Sequence, residues 1–87
     1  MSRHQIPGFS PANKIIVGWD PPLQTFFVQV IDRKAELAGK DDKFVLWLGC
    51  SLREIVEVER LVRLVSLFAE VTPALRATLR GDKDEDL

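Results

Sequence analysis

The sequence predicts an α+β domain: a three-stranded antiparallel meander covered on one face by a long helix and followed by a short C-terminal helix, in the order β-β-β-α-α. Three observations carry this reading. Residues 14–48 hold β-branched and aromatic segments separated by Pro-, Gly- and Asp-bearing stretches. After Gly49 the apolar spacing changes from every second residue to every third or fourth. A capping-box sequence, Ser51-Leu52-Arg53-Glu54, stands where the spacing changes. The chain has 87 residues, 46% hydrophobic and 29% charged, which suits one small domain that buries about two thirds of its unfolded surface in a single modest core.

Residues 1–13 carry Pro7, Gly8 and Pro11 without periodicity, so they read as an extended arm, mobile or laid across the domain. The first strand is Lys14 to Trp19, ended by Asp20-Pro21-Pro22, where two prolines remove consecutive backbone donors. Leu23 to Asp32 is the second strand. Within the polar connection that follows, Lys34 to Ala38 can form a helical turn that Gly39 ends. Phe44 to Leu48 is the third strand.

The long helix is expected over Leu52 to Glu70, with Ser51 as its cap and Cys50 and Ile55 as a hydrophobic staple. Ile55, Val58, Leu61, Val62, Val65, Phe68 and Ala69 form its apolar stripe, and Arg53–Glu57 and Glu59–Arg63 stand at pairing distance on the opposite side. Val56, Leu64 and Leu67 fall outside the stripe and call for a second contact, either the last helix folding back or another molecule. Thr72 caps that last helix, Pro73 to about Arg80, and Gly81 stops it. Residues 82–87 are almost entirely acidic and read as a solvated, disordered tail, which leaves 14–81 as the folded domain.

Alternation divides the strands into two faces. Ile15, Val17, Trp19, Phe26, Val28, Val30, Phe44, Leu46 and Leu48 are assigned to the helix-covered core. The opposite face then holds Ile16, Gly18, Thr25, Phe27, Gln29, Ile31, Val45 and Trp47, five large apolar side chains among small or neutral ones with no charge. An isolated monomer does not leave such a face bare. The predicted protein interface is therefore Ile16, Phe27, Ile31, Val45 and Trp47.

Catalytic chemistry finds little support. Cys50 is a weak thiol candidate at a predicted helix N-terminus, and His4, the single histidine, lies in the arm, away from any nucleophile. No His or Cys has ligand spacing to it, so no metal is expected. Asp41-Asp42 lacks the pattern of a calcium loop. The glycines are scattered and form no phosphate cradle, so no cofactor is expected either. One cysteine, no apolar leader and no membrane-length apolar run point to a cytoplasmic protein.

Lys and Arg total 12 against 13 Asp and Glu, a net charge of -1, which gives no overall pull toward nucleic acid. The favoured expectation is a small non-enzymatic interaction or accessory domain, self-associating as a homodimer or docking on another protein through the apolar sheet face. The alternative is a small nucleic-acid-binding regulator using the arm and the arginine side of the helix, Arg53, Arg60 and Arg63.

Overall fold

A computed structural model describes residues 2–85. It shows an α+β fold with a four-stranded antiparallel sheet in the order β1-β2-β3-β4 and three helices. The additional strand, β1 (His4–Pro7), comes from the expected arm, which lies along β2 (Asn13–Asp20) with His4 opposite Val17 and Pro7 opposite Lys14. The attachment extends to Ser2, whose amide donates to the Trp19 carbonyl (3.1 Å) and whose hydroxyl accepts from the Trp19 amide (2.9 Å). Pro7 has no donor to give, and an edge strand tolerates that.

The hairpin of β2 and β3 (Thr25–Asp32) turns through residues 21–24, where the Gln24 amide reaches the Pro21 carbonyl and Gln24 takes a left-handed φ of 51°. The turn thus consumes Leu23 and Gln24, which the sequence reading gives to the strand. Asp32 caps α1 (Arg33–Leu37) through the amides of Lys34 and Ala35. Beyond it, Gly39 stands at φ 70°.

β4 (Phe44–Leu48) joins β3 with a register shift at Val30/Ile31, so that Leu46 faces Val30 while Phe44 faces Ile31. The bulge takes up Val45 and corrects one assignment. Leu46 and Leu48 pack against the helix-covered core, but Phe44 turns to the opposite face and packs with Ile16, Phe27 and Ile31.

The expected long helix is the largest correction: helix α2 spans only Val58–Val65. Half of the capping box forms, with the Glu54 carboxylate accepting from the amides of Gly49 (2.9 Å) and Ser51 (3.2 Å). The segment it closes is a loop, in which Arg53 has φ 51°. Long-range bonds decide this. The Ile55 amide donates to the Thr25 hydroxyl (2.8 Å), the Ile55 carbonyl accepts from the Phe26 amide (2.8 Å), and the Arg53 amide reaches the Leu23 carbonyl (2.9 Å). A helix through this stretch would claim the same backbone groups for itself. Ile55 is buried and Cys50 exposed, so no staple forms.

The last helix, α3 (Pro73–Glu85), begins as expected, with the Thr72 hydroxyl accepting from the Leu75 amide. It does not stop at Gly81. The Asp82 carboxylate accepts from His4 Nε2 at 2.7 Å, and Lys83 donates to the Val56 carbonyl at 2.6 Å and lies over the Trp19 ring. These contacts outweigh the roughly 1 kcal/mol that an interior glycine costs a helix. Of the expected tail, Asp82 to Glu85 are therefore helical, and Asp86 and Leu87 lie outside the described residues.

Both helices and Ile55 pack on the face formed by Ile15, Val17, Trp19, Phe26, Val28 and Val30. Leu64 joins this core, whereas Leu67 is 85% exposed, so the residues outside the predicted stripe divide between inside and solvent.

Gly49 couples β4 to this arrangement, because its φ of 86° suits glycine alone and a Cβ there would collide with the Phe26 carbonyl and stand 2.6 Å from the Phe27 Cα. Gly39 has a similar φ, but open space surrounds it. Gly39→Ala should therefore cost about 1 kcal/mol for the left-handed backbone alone, and Gly49→Ala about 3 kcal/mol once overpacking is added. Urea denaturation midpoints measure both, and equal losses would show that the close approach is relieved at no cost.

Candidate interaction face and its pocket

The face of the sheet away from α2 and α3 is not bare. Ile16, Phe27 and Ile31 are 4–5% exposed and form a second small cluster with Phe44. Each is covered locally. The Phe27 ring lies across Gly18, where a Cβ would stand 2.9 Å from it, and the Arg3 guanidinium caps that ring at 6.0 Å. Beside Ile31, Lys14 reaches from β2 to Glu36 of α1 at 3.3 Å. Of the five predicted interface residues, Ile16, Phe27 and Ile31 thus lie inside the chain. Val45 and Trp47 remain half exposed, at 52% and 50%.

The bulge accounts for the position of Trp47. By turning Phe44 onto this face it places the two rings 4.5 Å apart with a tilt of 32°, so Phe44 supports the indole. Beside Trp47 the face opens into a cavity of about 220 Å³ lined by Arg3, Asp20, Phe27, Gln29, Trp47 and Cys50, among others. Gln29 brings an uncharged amide to its lining, directly opposite Trp47 across the β3–β4 ladder. It is 8% exposed, and its carboxamide bonds no other described residue. The sequence reading counts Gln29 as merely neutral; its signal is a single amide between Phe27 and Ile31 on one strand face. Arg3 reaches the cavity only because the arm pairs with β2, which spacing along the sequence does not reveal.

Cys50 sits in a loop without a helix N-terminus behind it. Burial raises its thiol pKa, and the negative charge of Glu54 raises it further, the reverse of what an activated nucleophile requires. Glu54 is displaced the other way. The bond from the Gly49 amide holds its carboxyl below the ordinary range, partial desolvation opposes this, and the Ser51 amide adds to the lowering.

The candidate nucleic-acid contacts are not gathered on one helix. Arg53 lies in the loop, where its Nε donates to Gln24 Oε1 at 2.9 Å. Arg60 and Arg63 share α2 and are exposed without side-chain partners among the described residues. Glu59 does not pair with Arg63: it binds Arg76 (3.1 Å) and Arg80 (2.7 Å) of α3, a bridge between helices that spacing within one helix could not reveal. Among the described residues no three His, Cys, Asp or Glu side chains gather as metal ligands, and no helix is long and apolar enough to cross a membrane.

Two measurements follow from the loop. Cys50 should react with a thiol reagent at neutral pH more slowly than a free thiol, because less of it is thiolate. A carboxyl lowered by folding stabilises the fold above its unfolded pKa of about 4.3 and loses that contribution as pH falls through the folded value. Acidification below about pH 4 should therefore destabilise the wild type more steeply than Glu54→Gln, and parallel pH profiles in chemical denaturation would remove the role given to the Gly49 bond. The chain matches no protein-family model, no curated protein and no solved structure.

Proposed function

We propose that this protein is a small non-enzymatic interaction domain that associates with a second copy of itself through the Trp47 face. The observation that carries the reading is the pair Val45 and Trp47, half exposed on one edge strand, with the Trp47 ring stacked on Phe44 of the second apolar cluster. Trp is a favoured anchor because it buries a large area at little conformational cost. The bulge at Val45 disturbs the outer edge of β4, which disfavours edge-to-edge strand pairing and favours face-to-face docking.

Charge supports a copy of this chain as the partner. Lys43 lies over Phe44 at the start of β4, and Asp20 borders the cavity beside the end of the same strand. A two-fold axis across β4 sets the Lys43 end of one copy against the Asp20 end of the other. The net charge of -1 adds little repulsion between copies. Trp47 contributes on the order of 100 Å² of exposed apolar surface, far below the roughly 800 Å² per partner of a standard interface, so the association belongs in the weak, micromolar class.

Sedimentation across the micromolar range should show a reversible monomer–dimer equilibrium that Trp47→Glu weakens at least about tenfold. Leu37→Glu is the control, since Leu37 is 89% exposed but lies on α1, and it should leave the equilibrium unchanged. A wild-type chain that stays monomeric throughout that range defeats the reading, as does equal weakening by both variants.

A further inference from the structure

We infer that the cavity beside Trp47 binds a planar nitrogen heterocycle presenting a hydrogen-bond donor and acceptor side by side, as the edge of a nucleobase does. The cavity recognises it through two independent features. The first is Gln29, more than nine-tenths buried, lining the cavity and bonding no other described residue. A carboxamide offers one acceptor and a pair of donors in a fixed plane, and its best complement is a group offering the converse pair in the same plane. Gln pairs in this way with the edge of adenine. The carboxamide is not sealed off: it is open to the cavity, so a ring that enters can meet both its donor and its acceptor edge.

The second feature is aromatic. Trp47 is half exposed, backed by Phe44 at 4.5 Å and facing the same cavity, so it offers a π surface held in place from behind. Phe27, under the Arg3 guanidinium, adds apolar lining. About 220 Å³ lies below the roughly 300 Å³ at which sites for drug-sized ligands begin, so it suits one ring system rather than an extended ligand. Arg3 and Asp20 line the cavity with opposite charges, which favours a neutral ring over a multiply charged anion. The proposal needs no second copy of the chain.

The same ring chemistry comes from a free nucleoside or from a single-stranded nucleic acid, and one titration with two arms distinguishes them. The side-chain amide of Gln29 and the indole N–H of Trp47 are followed by proton–nitrogen NMR while adenosine or uridine is added to the full chain. Both signals should shift with at least one of the two nucleosides. N6,N6-dimethyladenosine and 3-methyluridine keep the stacking surface but lose the donor, and each should bind about tenfold more weakly than its parent. Gln29→Leu should lose the same factor; if that variant does not fold, the methylated pairs still decide with the wild type. In the second arm, a short single-stranded oligonucleotide that binds more tightly than the nucleoside, with an affinity that falls as salt rises, assigns the base to a polymer. Equal affinity assigns it to the free nucleoside. Signals that stay fixed with both nucleosides, or methylated analogues that bind as well as their parents, overturn the proposal.

Discussion

Every residue of β3 from Thr25 to Ile31 is buried, on both faces of the sheet, and that constraint organises the molecule. A strand buried on both sides requires cover above and below, and a chain this short has little to spare. On one side α2, α3 and Ile55 supply the cover. On the other the described residues form no helix layer, and the cover is assembled from small devices. Gly18 lets the Phe27 ring lie flat across the sheet, Arg3 lies over that ring, and the β4 bulge turns Phe44 inward. Gly49 belongs to the same economy, since only a residue without a side chain brings the end of β4 so close to Phe26 and Phe27. What these devices do not reach is Trp47 with Val45.

Much of this was legible because it depends on alternation. Ile15, Val17 and Trp19 on β2, with Phe26, Val28 and Val30 on β3, fall on the helix-covered face as their spacing requires. Gly39 follows α1 and Thr72-Pro73 opens α3 through residue chemistry that acts within a few positions, whereas Asp32, which reads as a strand end, also proves to be the cap of α1. The face of Phe44 lies beyond period-two spacing: one extra residue in a strand reverses the parity of everything on its far side, and nothing in Phe44-Val45-Leu46 marks Val45 as that residue. β1 is not legible in the sequence, because a four-residue edge strand containing Pro7 carries too little pattern to register.

Ser51-Leu52-Arg53-Glu54 is the instructive case. The box describes a real local preference, and the bonds from the Gly49 and Ser51 amides to Glu54 exist. The same bonds serve a turn as well as a helix, however, and the choice is made by partners far away in sequence. Thr25 is fully buried, and its hydroxyl accepts from the Ile55 amide, while the Phe26 amide fixes the Ile55 carbonyl. An unmatched donor or acceptor at that depth costs about 1–3 kcal/mol, more than a cap usually contributes. α3 shows the converse. There a poor local sequence, Gly81 followed by acidic residues, stays helical because Asp82 meets His4 and Lys83 meets Val56. Tertiary contact thus removes helix where local signals ask for it and adds helix where they do not.

The candidate site inherits this division. Trp47 is legible, being a large aromatic on the face opposite the core. Gln29 acquires meaning only when the buried strand holds its amide against a cavity, and Arg3 only when the arm becomes β1. Both proposed roles converge on the indole of Trp47, which a second copy would cover and a stacked ring would occupy. A surface on the order of 100 Å² cannot serve both at once, so the two events are linked with opposite sign: a ring that fills the cavity draws the chain toward monomer, and dimerisation weakens the ring's hold by the same factor. The Gln29 edge and the Lys43–Asp20 arrangement lie on different residues, which gives each role a determinant that the other does not share.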